Sequence, residues 1–430
     1  AYLLVVKSLN RKRNYIIGYL YLIPALVIFI LFTYWPAIYS FYLSFFNTTT
    51  SVGHAIFVGL SNYAYLFRTG EIPYSPFTAF EYSFIRFSFA FIISVAIFGW
   101  IEKGGKNSKN LIPLLIIPIF ALVFVYPSLS TLGGNLYIFI LWIALGLLTY
   151  FFTRKMEFYK FHTVLFLLSL LGLYIVAFYI GRRIDLYLLF FKIAQNNSFI
   201  MSIWNTFYFV IIDVPLTIVI SLAAGLLMKN LPFFKAFFRT AFFAPYVASI
   251  VAVSLLWLWM FNYHYGIFNY ILSWFGISPI NWLNSASLTM PTVAILSIWE
   301  YFGYYGLIFL SGLQNIDQEY YEAAEIEGAN SFQRFVYITW PLLSPITFFV
   351  MVVSLINAFQ VFTQVYVLYN QMPGPYANSG LTMVFYIYNT FYNEQQMGLA
   401  SAAAYVLLGI IMVLTLIQFK TTEKRVEYNI

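Results

Sequence analysis

Asp317, Glu319, Glu322, Glu325 and Glu327 put five of the chain's 15 acidic residues into eleven positions. A run of that kind offers a metal or catalytic cluster, or a polar contact for another protein. Helical spacing would spread these five around a helix instead of converging them, which favours the contact. A second set is sparse and lies in an apolar stretch. Ser354, Asn357, Gln360 and Gln364 fall at helix angles of about 0°, 300°, 240° and 280°. That is one stripe about 120° wide at 100° per residue. Ser297, Glu300 and Tyr304 fall within about 60° of one another by the same projection. Amides, a carboxylate and an aromatic ring suit a sugar, giving hydrogen bonds to hydroxyls and a flat surface for its apolar face. The same residue types also bond between helices in membranes.

Other chemistries are excluded. The chain has no cysteine, so disulfides, zinc–thiolate sites and a cysteine nucleophile are absent. His54, His162 and His264 are too far apart in sequence to make a metal-ligand spacing and read as packed or interfacial side chains. No G-x-x-x-x-G-K-[ST] phosphate loop occurs; the nearest fragment, EKGGKNSKN at 102–110, lacks the glycine spacing and the Ser/Thr. The chain is expected to bind no nucleotide or other cofactor.

The elements that hold these residues are membrane helices. Hydrophobic residues make up 62% of the chain and charged ones only 9%, far from a soluble composition. Its mean hydropathy is +0.81. The apolar runs are continuous, without the period-two alternation of a barrel, so the fold class is an all-α polytopic bundle. Ten spans are predicted, at roughly 16–46, 84–101, 111–128, 135–152, 162–181, 203–227, 240–262, 290–311, 346–368 and 396–419. The first reads as a retained span; its apolar run is too long for a signal peptide and no small-residue cleavage site follows. With both termini in the cytoplasm, 17 of 22 Lys and Arg residues fall on the inside, leaving Arg68, Arg86, Arg182, Arg183 and Lys192 outside. The GRRID run at 181–185 is the one local violation. The basic balance marks a cytoplasmic membrane surface; nucleic acid is not implied.

The acidic run then lies on the inner face between the eighth and ninth spans, against the positive-inside habit. Asp317 is an expected N-cap, QEYYEAAEIE a short helix, and Gly328 its C-terminal stop. Asn330 or Ser331 caps a second short helix, FQRFVYIT, expected to end at Pro341. A solvated connector would need none of this ordered punctuation. Ala323 and Ala324 keep one side small for a close partner, and Tyr320, Tyr321 and Phe332 supply aromatic anchors.

EAAEIEG, nine residues, then ITWP resembles the Glu-Ala-Ala loop of binding-protein-dependent ABC transporter permeases. Glu322, Ala323, Ala324, Gly328, Ile338 and Pro341 match that pattern, and Trp340 stands where leucine is usual. The stretches YLIPALVIFILFTYWPAIYSFYLSFFN, FVGLSNYAYLF, FFRTAFFAPYVASIVAVSLLWLWMFNYHYGIFNYIL and INAFQVFTQVYVLYNQMPGP are similar to the maltose-transporter-type sugar branch. Residues 15–67 and about 198–419 thus resemble a six-span core. The resemblance implies an importer for a sugar or oligosaccharide, with a second permease subunit, two ATPase subunits that carry ATP and Mg, and an extracytoplasmic sugar-binding protein. It also implies that Glu322 anchors the ATPase, Gly328 gives the bend and Pro341 fixes the angle into the ninth span.

Domain organisation follows: 1–83 with the first core span, an inserted four-span region at 84–190, and the core 191–430 with the loop at 317–341. Four spans are an even number, so the insert preserves core orientation; it is expected to be a peripheral lipid-facing layer or a partner dock. Asp213, ahead of Pro215, reads as structural, and Trp299, Tyr301 and Tyr305 as packing aromatics. A secondary transporter is the other transport reading, but only Asp213 and Glu300 are clear intramembrane acids and no internal repeat is visible. A non-sugar solute remains a further alternative. A polytopic transferase would need a converging acidic or metal cluster.

Overall fold

The computed structural model describes residues 21–48, 55–69, 74–102, 170, 172–174, 186–231 and 233–422. The spans expected at 111–128 and 135–152, nearly all of that at 162–181, the basic N-terminal flank, His54, His162 and the GRRID run lie outside them. The contacts divide the chain into two units, one drawn from 1–68 and 194–430, the other from 69–193.

In the first unit, four helices are long and apolar enough to cross a bilayer: α1 (Tyr21–Leu43), α5 (Ser198–Asn230), α9 (Thr289–Gln314) and α15, whose spanning part is Met397–Lys420 within Met397–Thr422. Two bent pairs bring the number to as many as six among the described residues: α6 (Lys235–Val247) with α7 (Ile250–Met260), bent 96°, and α11 (Ser331–Leu342) with α12 (Ser344–Phe359), bent 66°. Between them lie β1 (Phe46–Asn47) and β2 (Ile56–Phe57), an antiparallel pair with Phe46 opposite Phe57, and the short α2 (Ser61–Leu66). α4 is Leu186–Asn196. α8 (Ile267–Trp274), α10 (Gln318–Ile326), α13 (Thr363–Leu368) and α14 (Met383–Tyr392) complete the unit. In the second unit, α3 (Pro76–Glu102) contains the span predicted at 84–101 but begins earlier. Proline is well placed at a helix start, and Ser75 Oγ accepts from the Thr78 N–H at 3.1 Å.

Local sequence explains several boundaries. Asn197 opens α5 by accepting from the N–H groups of Phe199 and Ile200, while its Nδ2 donates to the carbonyls of Leu66 and Arg68. Two Trp-Pro pairs follow π turns: Ile30–Tyr34 precedes Trp35-Pro36, and Phe335–Thr339 precedes Trp340-Pro341. The Trp35 N–H bonds Ile30 O and the Trp340 N–H bonds Phe335 O, five residues back. The wider turn relieves the clash a proline ring makes with the preceding turn. Pro341 therefore does not end the second short helix as expected. The helix runs on to Leu342, and the bend comes at Leu343.

Two predicted spans are not continuous. The one at 240–262 breaks at Ala248–Ser249, both extended, just past Pro245. The one at 346–368 breaks after Phe359, where Gln360 leaves helical geometry and α13 starts anew at Thr363. A carbonyl freed inside a bundle needs a partner. Thr382 Oγ1 donates to Val361 O at 2.8 Å.

α5 and α9 form the most extensive helix pair. Small residues let them meet: a Cβ on Gly306 would lie 3.3 Å from Ala224 Cβ and Ser221 O. Gly303 brings α9 against the backbone carbonyl of Phe242 in α6, with no room for a Cβ. The core continues through Phe209, Val293, Leu296, Phe359, Val365 and Phe385, all nearly solvent-free.

Candidate functional site

A cavity of about 200 Å³ opens among α5, α7, α9, α12 and α13. α5 contributes Phe209 and Asp213, and α9 contributes Ser297, Glu300, Tyr301 and Tyr305. Ser354 and Asn357 come from α12, and Gln360, Phe362 and Gln364 from the break and the start of α13. The four-residue polar stripe thus reaches one cavity, although its last two members arrive through a broken helix and not along a continuous face. The space is large enough to hold several waters or a small polar ligand group.

The polar groups are also wired to one another. Asn357 Nδ2 donates to the Tyr305 hydroxyl at 3.1 Å, and Gln364 Nε2 donates to Glu300 Oε2 at 3.1 Å. These bonds join α9 to α12 and α13, so interhelical bonding and cavity lining coexist in the same side chains. Ser354 Oγ donates to Met351 O within its own helix. Asp213 Oδ1 is buried and has no hydrogen-bond partner. Tyr304 does not reach the cavity. It stacks on Tyr246 of α6 at 4.2 Å between ring centroids, nearly parallel.

Three residues read as structural or packing from sequence line the cavity: Asp213, Tyr301 and Tyr305. Asp213 had a legible signal, since an acid inside an apolar span is costly wherever it occurs. The tyrosines had none, because the chain holds 37 of them. Trp299 packs on Trp257 of α7 at 5.5 Å and is absent from the lining.

The acidic loop forms its own site at the end of α9. α10 begins after Asp317, which occupies the N-cap position without a side-chain cap bond, with Glu319 in the first turn. It closes at Gly328, whose φ of +80° is open to glycine at little cost. The Ala329 N–H reaches back to Ala324 O at 2.9 Å. Asn330 then opens α11 through a capping box: its side chain accepts from the Gln333 N–H, and its own N–H donates to Gln333 Oε1, each at 2.9 Å. Replacing Asn330 with Ala is expected to cost about 1 kcal/mol, which is about fivefold faster amide exchange across residues 331–339.

Tyr321 fastens this element to the spans. Its hydroxyl lies 3.0 Å from Thr339 Oγ1, and Lys229, at the end of α5, sits 4.8 Å over its ring. Glu322 and Ala323 are exposed, Ala324 is half-buried, and Ile326, Phe332 and Tyr337 project into solvent at 89%, 74% and 76% exposure. Ile338 and Pro341 are half-buried where α11 turns toward α12. Exposed apolar side chains this prominent, beside exposed acids of which Glu325 pairs with Arg334 at 3.5 Å, make a surface suited to another protein.

Residues 217–426 match the family model described as "Binding-protein-dependent transport system inner membrane component". The arabinooligosaccharides transport system permease protein AraP of Bacillus subtilis (strain 168) is 36% identical over 234 residues, 53% of this chain and 72% of that protein. The chain belongs to this permease family. It is therefore a multi-pass membrane transport subunit of an ABC transporter, and not an enzyme. The lactose transport system permease protein LacF of Rhizobium radiobacter is 34% identical over 238 residues, 54% of this chain and 79% of that protein. A bacterial ABC transporter involved in import of the acidic polysaccharide alginate has a solved chain that is 20% identical, with a TM-score of 0.49, covering 76% of this chain and 99% of that one.

Proposed function

We propose that this permease carries a sugar or short oligosaccharide inward through the cavity, driven by a separate ATPase docked on α10 and α11. The observation that carries the reading is the cavity itself: amides, hydroxyls and carboxyls beside Phe209, Tyr301 and Phe362, set between spanning helices. Pockets of this mixed character fix a ligand through a few placed polar groups and apolar walls. The names of AraP and LacF support a carbohydrate, and the family's dependence on a binding protein supports an extracytoplasmic sugar-binding partner.

In this mechanism ATP and Mg stay on the ATPase, and this chain binds no cofactor. Closure of two ATPase subunits pushes the loop, with Glu322 as polar anchor and Ala323 and Ala324 as the close-approach surface. Gly328 sets the angle between α10 and α11. Ile338 and Pro341 pass the push through the bend at Leu343 into α12, which carries Ser354 and Asn357. A second permease subunit completes the pathway. The arrangement has ten spans in all, four of them in the region 84–190, with both termini in the cytoplasm.

Uptake tests the solute. Native cells lacking this chain should lose accumulation of a labelled arabino-oligosaccharide or lactose, and wild type should restore it. Gln360→Leu, which keeps bulk and removes the amide, should restore at least tenfold less. Normal sugar uptake in the deleted cells, beside loss of a non-sugar solute, would overturn the carbohydrate assignment.

A further inference from the structure

Asp213 and Glu300 sit on neighbouring helices with 5% and 6% exposure, and both face the cavity. No lysine, arginine or histidine lines that cavity. Acids within membrane spans are expensive and, where kept, pair with an opposite charge or mark a solute or ion path. Among the described residues of this chain, no opposite charge lines the cavity. Gln364 gives Glu300 one donor, while Asp213 Oδ1 has none. Two carboxylates together offer far more acceptor sites than that.

A solute that brings its own positive charge would fill that place. A neutral sugar hydroxyl would supply a donor and leave the charge uncompensated. A protonated amine supplies three donors and a full positive charge. The walls suit it as well, since Tyr301 and Tyr305 place electron-rich ring systems beside the carboxyls. We infer that the cavity recognises a cationic nitrogen, so that among sugars it favours one bearing an amine over a neutral one. This rests on the reading of the cavity as the solute site.

The full chain, purified from native membranes with the partners it retains, can be titrated calorimetrically with glucosamine, N-acetylglucosamine, glucose and ethylamine. Glucosamine should bind at least tenfold tighter than glucose or N-acetylglucosamine. Asp213→Asn should abolish that preference, and Glu300→Gln should reduce it. Asp213→Glu, which restores the charge, should keep it. Elution profile and melting temperature identify any variant that fails to fold, and Asp213→Glu then carries the comparison with Glu300→Gln. Equal binding of glucose and glucosamine, or a preference that survives Asp213→Asn in folded protein, would overturn amine recognition and leave the carbohydrate reading standing. Binding of ethylamine with no sugar bound would uphold the cationic site and remove the carbohydrate. Failure of all four probes would overturn both.

Discussion

The double variant Glu322→Lys, Gly328→Pro is expected to lose its co-purifying ATPase while the transmembrane bundle stays folded. Two independent effects combine at one exposed element. Glu322 is solvent-exposed, so reversing its charge leaves the chain's own packing untouched and changes only what a partner meets. Gly328 sits at φ +80° and its N–H donates to Glu325 O at 3.0 Å. Proline is locked near φ −65° and has no N–H, so it can satisfy neither condition. The cost of a misplaced proline is about 3 kcal/mol, enough to shift the angle between α10 and α11. Affinity purification from native membranes, followed by an ATPase assay of the eluate, should show activity with wild type and at least a tenfold loss with the variant. ATPase retained by the variant would remove α10 and α11 as the docking site. Its absence from wild type as well, in membranes that keep other complexes intact, would remove the ATP-driven reading altogether.

The second large effect lies in the bundle. Gly303→Val is expected to prevent assembly of α6 against α9. A Cβ at 303 would overlap the Phe242 carbonyl, which is backbone and has no rotamer to change. Overpacking a close-packed site costs about 3 kcal/mol or more when nothing can move aside. The α6–α9 contact also aligns Tyr246 on Tyr304 and holds α9 where Glu300 and Tyr301 face the cavity. Gly409→Ala provides the contrast, since a Cβ there meets nothing within 4 Å. Alanine in a helix interior is worth about 1 kcal/mol over glycine. Gly303→Val should therefore aggregate or elute as misassembled protein in detergent, and Gly409→Ala should melt at or above the wild-type temperature. Equal melting of both variants would show that the Phe242 contact is dispensable.

Those two glycines illustrate a limit on reading the chain. Gly303 and Gly409 both lie in long apolar runs, and nothing local separates them. Only the distance to a residue 61 positions away in the chain, Phe242, makes one essential and the other free. The acidic loop behaves oppositely. Its caps and its glycine stop are interactions over three to five residues, so sequence alone located α10 and Gly328 and narrowed the second cap to Asn330 or Ser331, of which the structure uses Asn330. Asp317 takes the expected N-cap position, without a side-chain bond, and the second helix runs one residue past Pro341 through a π turn.

Local residue patterns specify the membrane environment, the apolar helices at α1, α5, α9 and α15, and the loop that joins α9 to α11, because apolar length and capping chemistry are local properties. Tertiary structure decided where spans break. It placed the break after Phe359 where Thr382 meets the freed Val361 carbonyl from 21 residues away. It also decided the cavity's membership, bringing in Asp213, Tyr301 and Tyr305 and leaving Tyr304 stacked outside. A helical projection gives the face of one helix but not which neighbour that face meets. That is fixed by close packing of small residues such as Gly303 and Gly306, whose partners lie far along the chain.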